Sequence, residues 1–307
     1  MIPELLQGFS TDVEEMSLLV ACLRMLRVSP WLALTPSRPR ALLDNEAFRL
    51  HVDAVAGNDH YFYLSHRHYL AQGFTRRQRT ALALHHYHHE TTAFDRGYLD
   101  AVYREGGLSL WRTHARGLDY ELKLQPGHDV LCEGGLSVVL FVDGGRVCVV
   151  SFSYVDRALV LDELRRPAGN TTIFITRKQL ASNHDYQAGF NAAFDRCSAA
   201  HFALAALSGL AAAQGLRSAA ALRAEAHPGF RPERRERFET AYDECWSSLE
   251  GRARSRFAFE LPFPLQLTPL DRLSGKARRR AVRRRRHLDE IEGSARAALE
   301  VHRLASS

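Results

Sequence analysis

The sequence predicts an α+β protein, in which a helical N-terminal region packs on a mixed α/β region with a central β-hairpin and a basic helix follows. Three observations support this class: helical spacing of apolar residues in the first hundred positions, short β-prone runs after Gly106-Gly107, and two apolar runs joined by a glycine turn. With 307 residues, 46% of them apolar, the chain is long enough to bury a core. The patterns divide it into three regions, 1–106, 107–268 and 269–307.

The first region carries three predicted helices. Apolar side chains recur at steps of three and four over 12–28, which is typical of an amphipathic helix, and Pro30 ends it. A second helical segment covers about 38–56. Thr75 and Gln78 have the spacing of a capping box, and they predict a third helix that continues to about residue 93.

The second region opens with β-prone runs. The most pronounced local pattern is the apolar run 136–142, then Asp143-Gly144-Gly145, then the apolar run 146–154. A turn of this composition between two such runs predicts a β-hairpin. Two further short strands are predicted at 118–124 and 171–176.

Helices and strands alternate after the hairpin. An Ala/Leu-rich segment at about 190–214 predicts a helix, 217–226 a strand, and 232–249 a charged amphipathic helix. Together with the strand at 171–176 this order implies a right-handed crossover and at least one parallel pair of strands. A last edge strand is predicted at 257–264, and a final helix at 269–303.

Composition bears on redox chemistry and location. The five cysteines are scattered without a C-x-x-C pair, which predicts free thiols rather than a disulfide framework or a thiolate metal cage. The first residues lack the basic and apolar segments of a signal peptide, and no run approaches the roughly 20 apolar residues of a membrane span. A cytoplasmic protein is expected.

Several segments resemble the VirK/YbjX family in their order and spacing. They are the stretch 63–103, Glu133-Gly134-Gly135-Leu136-Ser137, Tyr242-Asp243-Glu244-Cys245-Trp246, and Leu261-Pro262 followed by Lys276 and the arginines. The resemblance covers about 60–290 and implies a role in virulence, antimicrobial-peptide resistance or envelope remodelling in Gram-negative bacteria, without an agreed reaction. A predicted loop at 183–191 departs from the family pattern and leaves a specialised role, such as a biosynthetic one, open.

The order of elements in the second region also resembles that of the GNAT acyltransferases. That resemblance implies an acyl-CoA site between splayed strands and a helix N-terminus, where anions bind readily. The corresponding loop runs from Arg177 to Gly189, which makes these two residues the expected cofactor-binding positions, although the glycine-spaced signature of GNAT enzymes is absent.

Acyl transfer needs a base for the attacking group and an acid for the leaving group. By position in this fold, Glu133 is the candidate base, and Tyr242 resembles the tyrosine that serves as acid in many GNAT enzymes. Two structural alternatives stay open: a Glu before a strand is commonly a solvated turn residue, and a Tyr on an amphipathic helix is commonly a core residue.

Histidines cluster at 85–90, where the sequence reads His-His-Tyr-His-His-Glu. On a helix His85 and His89 share one face, a spacing that suits two ligands of zinc or iron. Further ligands would have to come from His66, His68 or Asp95. The alternative is a polar helix whose histidines form local hydrogen bonds, and no metal is the primary expectation.

The net charge of +6 resides in one segment, because 276–286 holds eight basic residues and no acidic one. As a helix, this segment lies at the surface and can meet phosphates of RNA, DNA, anionic lipid or a cofactor. Neutralisation by nearby acidic residues is the alternative. The expected phosphate-binding residues are Lys276, Arg279, Arg280, Arg283 and Arg284.

The leading functional hypothesis is transfer of an acyl group to an amine or hydroxyl. The donor would be acyl-CoA, an acyl-carrier protein or an aminoacyl-tRNA, with no permanently bound cofactor. One alternative is a non-catalytic factor that binds nucleic acid or an anionic membrane through the basic helix, and another is a metal-dependent enzyme. Hydrolase, Walker-type and dinucleotide motifs are absent. The oligomeric state is left open.

Overall fold

A computed structural model of the chain describes residues 37–55, 61–127, 133–164, 166–180 and 184–305. The predicted helix at 12–28 lies outside these residues. The structure confirms the mixed helix-and-strand class. The helices are α1 Ser37–Leu43, α2 Glu46–Ala54, α3 Phe62–Ser65, α4 Arg76–Ala93, α5 Arg96–Tyr103, α6 Arg157–Val160, α7 His184–Ala193, α8 Ala199–Ala213, α9 Arg235–Glu239, α10 Cys245–Ser248 and α11 Gly275–Glu300.

The strands form one sheet with the order β1-β2-β3-β4-β5-β6-β8-β7. They are β1 Leu108–Ala115, β2 Leu118–Pro126, β3 Leu136–Val142, β4 Gly145–Asp156, β5 Thr171–Leu180, β6 Ser218–Leu222, β7 Arg252–Ala253 and β8 Ala258–Pro262. Neighbours run antiparallel except β5 and β6, which confirms the predicted parallel pair. The prediction of β8 as an edge strand is wrong, because β7 pairs with its outer side.

The central hairpin is confirmed at β3 and β4. Asp143 and Gly144 both adopt positive φ, 47° and 78°, as a two-residue turn with the right-handed twist of the strands requires. Both strands are buried along nearly their whole length. Helices α4 and α8 pack against β4, which explains why these strands read as continuous apolar runs.

The capping box predicted at α4 is confirmed. The Thr75 side chain accepts a hydrogen bond from the Gln78 amide, and the Gln78 side chain accepts one from the Thr75 amide. The single helix predicted at about 38–56 is wrong, because α1 and α2 are separate there. Asn45 lies between the two helices and caps α2, because its side chain accepts a hydrogen bond from Phe48 N at 3.1 Å.

Two predictions around α7 need correction. The single helix predicted at 190–214 is two helices, because Asp195 and Arg196 adopt left-handed φ of 53° and 58° between α7 and α8. The overlapping segments from Arg177 to Gly189 and 183–191, both predicted as loops, instead contain the end of β5 and most of α7. Gly189 lies inside α7, where an added Cβ would meet Leu118 Cδ1 of β2 at 3.0 Å.

Helix α11 belongs to the same fold as the sheet. It crosses α8 closely at Gly209, where an added Cβ would lie 3.0 Å from the Arg296 amide nitrogen of α11. Trp111 of β1 donates to Glu290, and Ser294 donates to the Leu110 carbonyl at 2.7 Å. These contacts fix the direction in which the basic N-terminal half of α11 projects. Among the described helices, none is long and apolar enough to cross a membrane.

Candidate active site

A cavity of about 400 Å³ opens where β5 and β6 separate. The two strands pair in parallel only over Ile173–Ile175 and Ala219–Ala221. β6 then ends at Leu222, while β5 continues to Leu180. Crevices at the carboxyl ends of parallel strands are common ligand sites. The cavity is lined by Glu133, Arg177, Lys178, Gln179, His227, Arg234, Arg237, Phe238, Ala241 and Tyr242.

Glu133 presents its carboxylate to this cavity from the segment that enters β3. Its carbonyl oxygen accepts a hydrogen bond from the Thr176 hydroxyl of β5. The next residue, Gly134, has φ of 142°, and its Cα approaches the Phe152 backbone so closely that a Cβ would lie 2.9 Å away. Arg177 Nε lies 3.2 Å from Glu133 Oε2, with both side chains about 11–12% exposed. The backbone and the ion pair therefore hold this carboxylate in place, and it is no solvated turn residue.

His227 lies on the other side of the same carboxylate, with Nε2 3.8 Å from Glu133 Oε1. Its Nδ1 accepts a hydrogen bond from the Gly229 amide at 2.9 Å, so the proton of the neutral ring sits on Nε2. Burial, together with the nearby Arg177 charge, lowers the pKa of His227 to about 4. Since its one lone pair is already used, this histidine does not act as a base. No local sequence pattern around His227 predicts its place in this cavity.

Tyr242 closes the cavity from the π-helical segment Thr240–Glu244, which joins α9 to α10. Its ring centre lies 4.9 Å from that of His227, and the residue is 5% exposed. Burial raises the pKa of Tyr242, and the charge of Glu133 raises it further. The phenol therefore keeps its proton at neutral pH and can donate a hydrogen bond into the cavity. π-Helical segments are frequent at functional sites.

Positive charge dominates the cavity. Arg177, Lys178, Arg234 and Arg237 line it, against the single carboxylate of Glu133. Within the described chain, Arg234 and Arg237 make no ion pair, whereas the Lys178 ammonium lies 5.6 Å from the centre of the Trp246 ring. An excess of cations around a recess favours an anionic ligand, with guanidinium groups suited to phosphate or carboxylate.

A buried polar cluster, formed by His86, Glu90, Tyr98 and Tyr103, supports the segment that carries Glu133. Gly135 packs directly on the His86 imidazole, whose Nδ1 accepts a hydrogen bond from the Tyr154 amide at 3.2 Å. His86 Nε2 lies 3.2 Å from Glu90 Oε2, in a geometry short of a hydrogen bond. Burial lowers the pKa of His86 well below its ordinary value. The cluster contributes no side chain to the cavity, so its role is structural.

Two tyrosines complete this cluster at Glu90. The hydroxyls of Tyr98 and Tyr103 donate to the Glu90 carboxyl at 2.9 and 2.8 Å. Burial raises the pKa of Glu90 to about 7, although these two hydrogen bonds oppose the shift. Glu90 therefore titrates near neutrality inside the fold.

Two further histidines of the segment 85–90, His85 and His89, are engaged in hydrogen bonds. His85 Nε2 lies 3.0 Å from the Thr171 hydroxyl, and His89 Nε2 lies 2.7 Å from Gln214 Oε1. Asp95 caps α5 by accepting from the Tyr98 amide. Over the described ranges, no three His, Cys, Asp or Glu side chains are grouped as metal ligands. The hydrogen bonds of His85 and His89 are of the kind that the local interpretation expects.

The predicted phosphate-binding residues of α11 fall into two groups. Arg283 pairs with Asp195 through contacts of 2.8 and 2.6 Å, and Arg284 donates to the carbonyl oxygens of Asp195 and Arg196. These two arginines stabilise the left-handed turn between α7 and α8. Lys276 and Arg279 are exposed and Arg280 is half-buried. They remain available to ligands, as do neighbouring Arg278 and Arg286.

The geometry defines an α+β protein with a cationic cavity beside a parallel strand pair, in which Glu133, Arg177 and Tyr242 meet and Gly189 does not take part. Residues 26–162 match the family described as "Protein of unknown function (DUF535)", which includes VirK/YbjX. The match contains the buried polar cluster, Glu133 and the central hairpin, and it ends before β5. No curated protein and no solved structure matches the chain.

Proposed function

We propose that the cavity beside β5 and β6 transfers an acyl or aminoacyl group from a phosphate-bearing donor to an amine or hydroxyl. One observation carries this proposal: Glu133 and Tyr242, which are distant in sequence, lie in one cavity whose other charged groups are cations. A carboxylate and a protonated phenol supply the base and the acid that acyl transfer needs.

Glu133 is the proposed base. The ion pair with Arg177 at Oε2 holds the carboxylate and stabilises its charged form, and the neutral ring of His227 lies beside Oε1. As the acceptor nitrogen or oxygen attacks the acyl carbon, its proton passes to Glu133 and a new C–N or C–O bond forms. The donor's C–S or C–O bond then breaks with both electrons on the leaving atom, which takes a proton from Tyr242. Glu133 then releases its proton to solvent, and Tyr242 takes a proton from solvent.

The donor is proposed to be acyl-CoA, an acyl-carrier protein or an aminoacyl-tRNA, since all three carry phosphate groups as well as the reactive acyl carbon. Lys178, Arg234 and Arg237 lie where such phosphates would be bound, a role that Gly189 inside α7 does not take. The element order shared with GNAT enzymes supports the proposal by analogy alone. These donors are cytoplasmic, so the proposal includes a cytoplasmic protein acting in an envelope, virulence or biosynthetic pathway.

Replacing Glu133 with glutamine is expected to slow transfer about 100-fold, because the amide is isosteric and cannot accept the proton. Tyr242→Phe is expected to slow it about tenfold, since a weaker acid such as water replaces the phenol. The assay offers octanoyl-CoA, octanoyl-loaded carrier protein and mixed aminoacyl-tRNAs in turn, with hydroxylamine as the acceptor. The hydroxamate product is measured by mass spectrometry.

Glu121→Gln is the matched control, because Glu121 lies on β2 in an ion pair with Arg112 and away from the cavity. It is expected to transfer at the unchanged rate. Thermal unfolding of all three variants checks the fold. Transfer from none of the three donors, or equal rates in Glu133→Gln and the parent chain, would show that this site is not an acyltransferase.

A second candidate function is suggested by the exposed cations of α11. Between Gly275 and Leu288 the helix contains no acidic residue, and the side chains of Lys276, Arg278, Arg279 and Arg286 face solvent. A non-catalytic protein that binds nucleic acid or anionic membrane through this face is the alternative proposal. Its affinity would fall steeply with salt.

Changing Lys276, Arg279 and Arg286 together to alanine is expected to weaken binding to tRNA or phosphatidylglycerol vesicles by about tenfold or more and to flatten its salt dependence. The control changes Arg252, Arg254 and Arg256, which are also exposed, but two of which pair with Glu260 and Glu163. Fluorescence anisotropy and vesicle flotation measure the binding. Equal losses in the two triple variants would point to net charge rather than to α11.

A further inference from the structure

A second cavity, of about 500 Å³, lies between the basic half of α11, the start of α8 and the segment 267–273. It shares no lining residue with the cavity at Glu133. The residues that line it are Arg196, Cys197, Ser198, His201, Leu267, Thr268, Leu273, Ala277, Arg280, Ala281, Arg284, Arg285 and Leu288. The set combines four arginines with apolar side chains and contains no carboxylate.

Two of the four arginines of this cavity, Arg284 and Arg285, are held in place by backbone carbonyl oxygens. Arg284 Nε donates to the Asp195 carbonyl at 3.0 Å, and Arg285 Nη2 donates to the Thr268 carbonyl at 2.5 Å. Carbonyl oxygens orient a guanidinium but carry no net charge to balance it. Asp195 lies beside the cavity, where it forms a two-point contact with Arg283 and also interacts electrostatically with Arg280.

The titratable groups of the cavity add no negative charge. Burial lowers the pKa of His201, and the nearby Lys178 and Arg284 lower it further, so the ring is neutral. Burial raises the pKa of Cys197 to about 11, so its sulfur remains a thiol. Four like charges around one recess repel each other, and an anion placed among them relieves that repulsion.

The rest of the wall is apolar. Leu267, Leu273 and Leu288 face the recess, and small side chains at Ala277 and Ala281 leave the space between them. Leu288 is only 7% exposed, so this end of the cavity continues into the core. An apolar surface next to clustered arginines matches a molecule that has an anionic head and an apolar chain.

We infer that this second cavity binds an amphipathic anion, namely a phosphate or carboxylate group on an alkyl or acyl chain. The head group lies among Arg196, Arg280 and Arg284, and the chain lies along the leucine side. Such a molecule comes either free in solution, as a fatty acid or alkyl phosphate, or as part of an anionic lipid. This site is independent of acyl transfer at Glu133.

The test uses decyl phosphate as the probe, with isothermal titration calorimetry on the full chain. Arg280→Ala is expected to weaken binding about tenfold, because a charge-assisted contact is lost. Ala281→Trp is expected to abolish it by filling the recess. Arg252→Ala, at an exposed position of β7 away from both cavities, removes the same charge and is expected to stay within about twofold of the parent. Thermal unfolding verifies that each variant is folded.

Inorganic phosphate and decanol, which each carry half of the proposed ligand, are expected to bind at least about tenfold more weakly than decyl phosphate. The inference fails if decyl phosphate does not bind, if either half binds equally well, if Ala281→Trp binds unchanged, or if Arg252→Ala and Arg280→Ala lose affinity equally. Flotation with phosphatidylglycerol vesicles separates the sources: Arg280-dependent flotation assigns a lipid, and its absence assigns a free amphiphile.

Discussion

Replacing Gly135 with alanine is expected to destabilise the protein by about 3 kcal/mol or more. An added Cβ would overlap the His86 ring, with Cδ2 at 2.5 Å and Cε1 at 3.0 Å. The ring has no room to move, because it is fully buried and its Nδ1 accepts a hydrogen bond from the Tyr154 amide. Close-packed interiors respond to such overlap by shifting backbone, and here the shift would reach Glu133 two residues away.

Urea-induced unfolding measures this change, with Gly293→Ala as the matched control. Gly293 lies in α11 with nothing within 4 Å of an added Cβ, so alanine there is expected to stabilise by about 0.5–1 kcal/mol through helix propensity. Combining Gly135→Ala with His86→Ala removes the overlap, so the two changes should cost less together than the sum of each alone. A Gly135→Ala protein as stable as the parent would mean that this segment does not rest on His86.

In the parent protein, Glu90 is expected to make the free energy of unfolding change by about 3 kcal/mol with pH, and replacing Glu90 with glutamine is expected to abolish this change. Burial raises the pKa of Glu90 from 4.5 to about 7, so the folded protein favours the protonated form. The stability that this group contributes is complete below about pH 4.5 and is lost as the pH rises through about 7. Glutamine resembles the protonated acid, and it still offers Tyr98 and Tyr103 an acceptor and a donor.

The measurement is the free energy of unfolding of both proteins between about pH 5 and pH 8, plotted as a difference. The difference isolates Glu90 from His86, His89 and His227, whose pKa values are lowered and which therefore destabilise the fold as the pH falls. As the pH rises, the free energy of unfolding of the Glu90→Gln variant should increase relative to that of the parent protein. Glu105→Gln, at an exposed position, should run parallel to the parent. Parallel curves for Glu90→Gln would mean that Glu90 is ionised in the fold.

The candidate site shows how far residue types alone can lead. Glu133 and Tyr242 are predicted as base and acid by their position in the order of elements, and Arg177 as the start of the donor-binding segment; the fold places all three in one cavity. His227 was missed because its partner is 94 positions away, and nothing in its own neighbourhood marks it. Gly189 was misplaced because the segment before it forms helix α7 instead of a loop.

The sequence by itself determined the features whose causes are local. The Asp143-Gly144 turn, the Thr75–Gln78 capping box and the basic character of α11 each depend on residues within a few positions of one another. Backbone conformation and side-chain caps act over such short distances, so their patterns can be read along the chain.

Only the tertiary structure decided which charged side chains form contacts within the protein and which remain available to a ligand. Arg283 and Lys276 look alike in the sequence, yet Arg283 pairs with Asp195 while Lys276 faces solvent. In the same way, Glu90 titrates near neutrality because folding buries it beneath α5 residues Tyr98 and Tyr103. The physical reason is that desolvation and ion pairing depend on which distant segments meet, and packing of the whole chain determines that.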